Sequence, residues 1–273
     1  ATRMYDDDTT IWDPKGRIHQ VEYAAKAIQQ GSPVVGIASK EYVVIGGLKL
    51  SPNKYDEPYE KINKVDTHIG MAMSGLISDG RVLCNFARTR SMQYRLTYQR
   101  PLPVNRLVSE LGDKAQSNTQ GFGNRPYGVG LLVAGYDDKG PHLYDFQPTG
   151  VVSNCLAYSI GSRSNVSRTY LEKYIDEYEN GKSSRRELIE HVIKAIKISA
   201  PEIKDKKTKE VKPLTVDNIS IGVVGKSADG EFEAFHLLDK ETLLEFFGGD
   251  GAAPVAAASG GSGDGTESMD VEQ

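Results

Sequence analysis

Apolar positions along the chain alternate between a helical and a strand spacing, and the order of these changes predicts the fold. An apolar stripe that starts at Val21 and recurs at i+3, i+4 and i+7 predicts a helix over residues 18–30. Gly31 follows this stripe and is predicted to end the helix as a C′ residue. Two β-rich runs, residues 34–39 and 42–48, then predict a hairpin.

The remaining periodic segments predict strands, then two helices, then strands, two more helices and a last hairpin. They are a strand pair over residues 65–74 that Gly70 interrupts, helices containing 82–90 and 104–115, a hairpin of 129–136 with 142–146, strands at 151–152 and 156–160, helices containing 170–178 and 188–196, a hairpin of 219–224 with 231–237, and a short helix capped by Asp239. This order lacks the strict βαβ alternation of a parallel sheet. It fits an α+β fold, a four-layer αββα sandwich of two antiparallel sheets.

Composition changes once along the chain, and this change sets the domain organisation. Residues 248–273 consist largely of Gly, Ala, Ser and acidic residues, which cannot bury enough apolar surface to offset the entropy of ordering. We therefore predict an amino-terminal arm and turn over residues 1–17, one domain over 18–247, and a disordered acidic tail over 248–273.

Bulk charge and cysteine content exclude several classes of protein. The chain has 273 residues, a formal net charge of −4 and 26% charged residues. This balance indicates no surface for nucleic acid. Cys84 and Cys155 are too few for a disulfide framework, so we expect free thiols in a reducing compartment. Since no apolar run approaches the ~18 residues of a membrane span and no signal-peptide pattern begins the chain, we expect a soluble intracellular protein with no membrane partner.

The histidines give no indication of a metal or a cofactor. They lie on different predicted elements without the spacing of metal ligands. They are His19, His68, His142, His191 and His236. The Gly-rich segment of residues 121–123 lacks the preceding strand of a phosphate-binding loop, so the sequence predicts no metal site and no cofactor.

The segment from Tyr5 to Tyr23 carries the most specific pattern in the chain. Residues 13–16 read Asp-Pro-Lys-Gly, which has the chemistry of an ordered turn. The residues before it are acidic and aromatic without an apolar period, so we expect a mobile arm that becomes ordered only against a neighbour. The whole segment resembles the amino-terminal signature of proteasome α-type subunits, with its aromatic-Asp pair, its aromatic-x-Pro-x-Gly-Arg turn and its Gln-Val-Glu-Tyr helix start. Residues 125–129 and 158–164 also resemble blocks of that family.

The resemblance implies the amino-terminal-nucleophile hydrolase fold and an assembly. In this family, α-type subunits form a seven-membered ring that stacks on rings of β-type subunits. A regulatory particle or another activator docks on the α ring for ATP- and ubiquitin-dependent protein degradation. A ring requires each subunit to present different faces to its two neighbours. The resemblance further implies a location in the cytoplasm and nucleus.

The resemblance also implies two functional sites. One is a gate cluster that holds the amino-terminal arms open, and it corresponds here to Tyr5, Asp6, Pro14 and Tyr23. The other is a pocket between subunits that receives the carboxy terminus of an activator. It corresponds to Gly31, Lys61 and Leu76, where the lysine would answer the terminal carboxylate and the glycine would let another backbone approach. Without this context, Lys61 would be interpreted as an ordinary surface lysine.

An enzymatic alternative and a binding alternative both remain open at this point. The catalytic relatives use an amino-terminal nucleophile, and Ser32 aligns with that position. Ser32 could act only if the first 31 residues were cleaved as a propeptide, and Pro33 and Leu48 depart from the catalytic pattern, with Leu48 standing where a carboxylate is expected. We therefore predict a non-catalytic structural and gating subunit. The binding alternative, a stand-alone module, would instead be a stable monomer.

Overall fold

The computed structural model describes residues 8–49, 55, 59–201 and 214–247. In chain order, the described strands are β1 (Val34–Ala38), β2 (Tyr42–Leu48), β3 (Ile62–Asp66), β4 (Ile69–Gly75), β5 (Val129–Asp137), β6 (Gly140–Phe146), β7 (Val152–Asn154), β8 (Ala157–Ile160), β9 (Ile219–Lys226) and β10 (Phe232–Leu237). The described helices are α1 (His19–Gln30), α2 (Ile77–Tyr98), α3 (Val104–Gln120), α4 (Ser164–Glu172), α5 (Ile175–Asn180), α6 (Arg185–Ser199) and α7 (Lys240–Glu245).

These strands form two five-stranded sheets in which neighbouring strands are antiparallel. The first sheet has the order β10-β9-β2-β1-β8, and the second has the order β3-β4-β5-β6-β7. In β1 and β2 every residue is buried, because both faces of the first sheet are covered. This explains why these strands read as continuous apolar runs rather than as an alternation of apolar and polar residues.

The helices cover the two outer faces of the sandwich. Helices α4 and α6 pack on the first sheet, and α2 and α3 pack on the second. One hydrophobic cluster fills each helix–sheet interface, and a third, which includes Ile45, Leu132 and Phe235, lies between the sheets. The predicted four-layer αββα sandwich is therefore confirmed. The proposed division at residues 17 and 247 stays a prediction, and residues 1–7 and 248–273 lie outside the described residues.

The structure corrects the role predicted for Gly70. The predicted strand pair over residues 65–74 turns at Thr67 and His68, and Gly70 lies inside β4. A Cβ atom on Gly70 would lie only 1.9 Å from Cε2 of Phe235 on the opposite sheet. The glycine thus makes room for an aromatic ring between the sheets. It does not break a strand.

The apolar stripe over residues 170–178 also differs from its prediction of one helix. It is divided between α4 and α5, which are separated at Lys173 and Tyr174. The stripe persists across the break because its tyrosines pack on one histidine of α6. The Tyr170 hydroxyl lies 2.9 Å from His191 Nδ1, and the Tyr174 and His191 ring centroids are 4.4 Å apart. Tertiary packing on α6 therefore places both sides of the break on the same core.

Candidate functional site

The predicted turn forms just before α1, and Asp13 organises it. The Asp13 carboxylate accepts hydrogen bonds from the backbone N–H groups of Lys15 and Arg17, both at 2.8 Å. The hydrogen bond from Arg17 makes the largest contribution to lowering the pKa of Asp13. Gly16 has a φ of +75°, in the left-handed region that glycine adopts without strain. The turn therefore holds Pro14 in a defined position ahead of the helix.

His19 connects this turn to Tyr23 on α1. Its Nε2 atom lies 3.2 Å from the Asp13 carboxylate, and its ring centroid lies 6.1 Å from that of Tyr23. Tyr23 keeps 40% of its surface exposed. The other two predicted gate residues, Tyr5 and Asp6, lie outside the described residues, so the assignment of the gate cluster stays a prediction.

Part of the segment before the turn is held by the chain itself. Thr9 is buried, and its hydroxyl lies 3.2 Å from the backbone oxygen of Gly121 and 3.3 Å from that of Asn124. The expectation that the whole arm is ordered only by a neighbouring subunit is therefore wrong at Thr9. These hydrogen bonds join residues that are far apart in the chain, so the local sequence could not predict them.

Gly31 ends α1, but in an extended conformation. Its φ of −70° and ψ of 154° are not the left-handed geometry that glycine commonly adopts after a helix. The glycine is required for packing, because a Cβ atom would lie 2.3 Å from Ser74 Oγ and 2.4 Å from the backbone nitrogen of Gly75. In this structure, the close approach to Gly31 is thus made by β4 of the same chain. The Gly31 carbonyl also accepts a hydrogen bond from the backbone N–H of Ser162 at 2.8 Å.

Lys61 is buried, with only 8% of its surface exposed. Its ammonium donates a hydrogen bond to the backbone oxygen of Ser32 at 3.1 Å, and the hydroxyl of Ser74 donates to the same oxygen at 3.0 Å. Because burial disfavours the charged amine, the pKa of Lys61 is lowered to about 8. Lys61 is therefore not an ordinary surface lysine.

Leu76 lies one residue beyond β4, so the three predicted pocket residues gather around the end of this strand. Its side chain is exposed, and its backbone N–H donates to the Gly128 carbonyl at 2.8 Å. Gly31 contacts the last two residues of β4, and Lys61 shares an acceptor with Ser74. Whether these residues bind an activator stays a prediction.

Ser32 has no arrangement suited to nucleophilic attack. Its hydroxyl donates to the Leu48 carbonyl at 2.7 Å, and a backbone carbonyl cannot accept a proton as a general base. The preceding residue, Gly31, donates its own N–H to the Ile28 carbonyl at the end of α1. Helix α1 thus leads directly to Ser32, whose backbone nitrogen would have to be a free amine for catalysis. The Leu48 side chain is fully buried.

An ion pair that no sequence pattern indicated supports this region. Arg125 donates two hydrogen bonds to the Asp79 carboxylate, at 2.6 and 2.8 Å. Asp79 also accepts the backbone N–H of Gly128 at 2.9 Å. The hydrogen bond from Arg125 lowers the pKa of Asp79. The family resemblance of residues 125–129 drew attention to Arg125, but no local pattern identified Asp79, 46 residues away, as its partner.

Three further observations on the described residues concern metal binding, membrane spans and the cysteines. They contain no group of three or more His, Cys, Asp or Glu side chains arranged to hold a metal ion. Among the described helices, none is both long and apolar enough to span a bilayer. Both cysteines are free, and burial raises the pKa of Cys84 and raises that of Cys155 to about 12.

Comparison with known families gives two matches that cover nearly the whole domain. The family described as "Proteasome subunit" matches residues 28–224, and the N-terminal signature of A-type proteasome subunits matches residues 5–27. The second match contains the turn and most of α1. The sequence resemblance on which the two site assignments depend is therefore confirmed at the level of the family.

Curated relatives agree with these matches. The chain is 42% identical to the probable proteasome α type-6 subunit of Schizosaccharomyces pombe, over 93% of this chain and 89% of the relative. It is 42% identical to the proteasome α type-1 subunit of Drosophila melanogaster, over 82% of this chain and 77% of the relative. It is 40% identical to the proteasome α type-1 subunit of Caenorhabditis elegans, over 95% of this chain and 96% of the relative.

The names of these relatives agree with a finer resemblance in the sequence. Residues 100–104 and 128–138 look most like the type-1 branch of the α-type subunits, also called α6. Members of the α type are the non-catalytic subunits of the complex, which agrees with the Ser32 hydroxyl being hydrogen-bonded to a backbone carbonyl. The chain belongs to the proteasome subunit family and is a non-catalytic member of its α type.

Proposed function

We propose that this chain is a structural and gating subunit of the α ring. It assembles with other α-type subunits in a ring of seven and stacks on β-type subunits. The observation that carries the gating role is the ordered turn of Pro14, which Asp13 and His19 connect to Tyr23. An arm hinged on such a fixed turn has two positions available, open and closed, and a contact made by Tyr5 and Asp6 would select between them.

Deletion of residues 1–8 tests the gating role. Truncated core particles should hydrolyse short peptides faster than full-length particles in the absence of an activator, and the difference should shrink when an activator is bound. Tyr23→Phe, which removes only the hydroxyl, serves as the minimal variant. Tyr98→Phe is its matched control, because Tyr98 is an exposed tyrosine of α2. Identical rates for truncated and full-length particles in both states would exclude this arm from the gate.

We further propose that Gly31, Lys61 and Leu76 receive an activator's carboxy terminus. The support is their position around the end of β4 and the amine of Lys61, which retains further hydrogen atoms to donate beyond the one used on Ser32. Docking of a regulatory particle there would connect the ring to ATP- and ubiquitin-dependent degradation in the cytoplasm and nucleus.

A pair of peptides tests the pocket. Lys61→Ala should weaken binding of a peptide that ends in a free carboxylate several-fold, and should affect the same peptide with an amidated end much less. Lys64→Ala is the control, since Lys64 is exposed and lies on β3, which begins directly after Lys61. Equal losses for both peptides would indicate general damage to the pocket, and no loss for either would remove Lys61 from the site.

A further inference from the structure

A cavity of about 420 Å³ opens at the end of the sandwich farthest from Gly31. Strand β4 runs from Ile69, beside this cavity, to Gly75, beside Gly31, so the two sites lie at opposite ends of one strand. We name these the turn end and the α1 end. The cavity lies where the β3–β4, β5–β6 and β9–β10 turns meet the connection between α2 and α3. Its volume falls in the range of known ligand sites.

The cavity combines aromatic walls with cations. Tyr136 and Phe232 form an aromatic pair, with ring centroids 6.1 Å apart, and they come from different sheets. Arg100, Lys139 and Lys226 line the same cavity and are exposed. Within the described part of the chain, these three cations have no ion pair.

The carboxylates near the cavity do not neutralise it. Asp137 is already occupied, because it accepts the backbone N–H groups of Val104 and Lys139, at 3.0 and 2.9 Å, and lies 2.9 Å from His142 Nε2. Asp138 is the other carboxylate that lines the cavity. Three cations against two carboxylates leave the lining with a net charge of +1, and the hydrogen bonds already made to Asp137 reduce its attraction for the cations, which suits an acidic ligand that also carries apolar side chains.

The chain itself contains a segment with this chemistry. Residues 264–273 read Asp-Gly-Thr-Glu-Ser-Met-Asp-Val-Glu-Gln and lie outside the described residues. They carry acidic side chains on both sides of Met269 and Val271 and have no Lys or Arg. We propose that residues 264–273 bind in the turn-end cavity, with their carboxylates on the three cations and an apolar side chain between Tyr136 and Phe232.

The connecting chain is long enough for this contact. Phe247 shares a core cluster with Ile219, the first residue of β9, and the cavity includes Lys226, the last residue of that strand. The length of β9 is about 25 Å at the usual rise per residue. Residues 248–263 can span up to roughly 50 Å when fully extended. A tether of this kind supplies an effective concentration of the order of millimolar, so individually weak ion pairs suffice for binding.

A labelled peptide of residues 264–273 tests the proposal on assembled core particles. One set of particles contains the full chain, and the other contains the chain ended after Phe247, which frees the cavity. We expect the peptide to bind the truncated particles roughly tenfold more tightly, because the tethered segment competes in the full-length ones. Equal affinity for the two sets of particles, or no binding to the truncated particles, would overturn the proposal.

Charge reversal locates the contact. In truncated particles, Lys139→Glu with Lys226→Glu should weaken peptide binding by about tenfold, whereas the charge-matched pair Lys64→Glu with Lys182→Glu, at exposed sites that do not line the cavity, should leave it unchanged. Changes in the peptide alone avoid any effect on folding. Replacement of its acidic residues by Asn and Gln, or of Met269 and Val271 by Ser, should each weaken binding. Equal losses for both lysine pairs would indicate non-specific charge attraction and contradict the assigned site.

Discussion

The two ends of the sandwich differ in how their polar groups are satisfied. At the α1 end, Lys61 and Ser74 share the Ser32 carbonyl, and the Asp79 carboxylate holds both Arg125 and the Gly128 backbone. At the turn end, three cations line an open cavity without an ion pair among the described residues. The fold thus uses hydrogen bonds to satisfy the polar groups of the α1 end, and leaves unpaired charge at the turn end.

Polar groups at the α1 end stabilise the fold as well as lining the proposed activator pocket, whereas those at the turn end can serve binding alone. Buried polar groups are costly unless they are hydrogen-bonded, so those of the α1 end are tied to the stability of the fold. Exposed cations contribute little to stability and remain available to a ligand. Changes at the α1 end should therefore alter stability strongly, and changes at the turn end should alter binding but not stability.

The largest effect is expected from Gly31→Ala at the α1 end. The new Cβ would lie 2.4 Å from the Gly75 backbone nitrogen, so the strand itself would have to move. We expect a loss of about 3 kcal/mol in the free energy of unfolding, measured by chemical denaturation of the chain. Gly47→Ala is the matched control, because its Cβ would meet only ordinary contacts, the nearest at 3.5 Å from the Lys61 Cβ. Similar losses in both variants would show that this end is not closely packed.

Removal of the Asp79 carboxylate should have the next largest effect. Asp79→Ala leaves the buried N–H of Gly128 without its acceptor and frees Arg125, so we expect a loss of about 2–3 kcal/mol. Glu110→Ala, which breaks the exposed pair with Arg90, should cost no more than about 1 kcal/mol.

The Asp79–Arg125 ion pair also predicts how the free energy of unfolding changes with pH. The pKa of Asp79 is lowered in the folded chain, so its contribution is complete above the ordinary value of 3.8 and is lost as the pH falls through the folded value. The stability difference between the original chain and Asp79→Ala should therefore shrink in acid. A difference that stays constant down to pH 2 would contradict the ionised pair.

The buried amine of Lys61 should make the free energy of unfolding increase with pH. Its folded pKa of about 8 lies below the ordinary 10.5, so the unfolded chain binds the proton more tightly between these values. Relative to Lys61→Met, the original chain should gain on the order of 2 kcal/mol between pH 7 and pH 10. Lys64→Met, at an exposed position, should show no such trend. If the difference in free energy of unfolding between the original chain and Lys61→Met did not change with pH, the Lys61 amine would be solvated in the folded chain.

The smallest effect is expected at the turn end. Lys139→Gln with Lys226→Gln should change the free energy of unfolding by less than about 0.5 kcal/mol, because neither exposed side chain has an ion pair to lose among the described residues. Thermal unfolding of the variant beside the original chain measures this. A loss comparable with that of Asp79→Ala would mean that these cations are structural, and the contrast between the two ends would fail.

Local sequence determined most of the secondary structure, because strand patterning, turns and caps depend on neighbouring residues. The hairpin predicted over residues 129–136 and 142–146 is observed as β5 and β6. Asp239 caps α7 by accepting the Thr242 backbone N–H at 2.9 Å, as predicted. The turn of residues 13–16 likewise forms through contacts within a few residues. The resemblance of this segment to a known signature then indicated the family.

Tertiary structure alone decided what several of these residues do. Gly31 and Gly70 looked like breaks in a pattern, yet each makes room for a group from another strand, Ser74 in one case and Phe235 in the other. Lys61 was assigned to a pocket by resemblance, but only the structure shows that its amine is buried against the Ser32 carbonyl. Such roles depend on which strands pair and how the two sheets face each other. They arise from contacts between residues far apart in the chain, and no local pattern of side chains encodes those contacts.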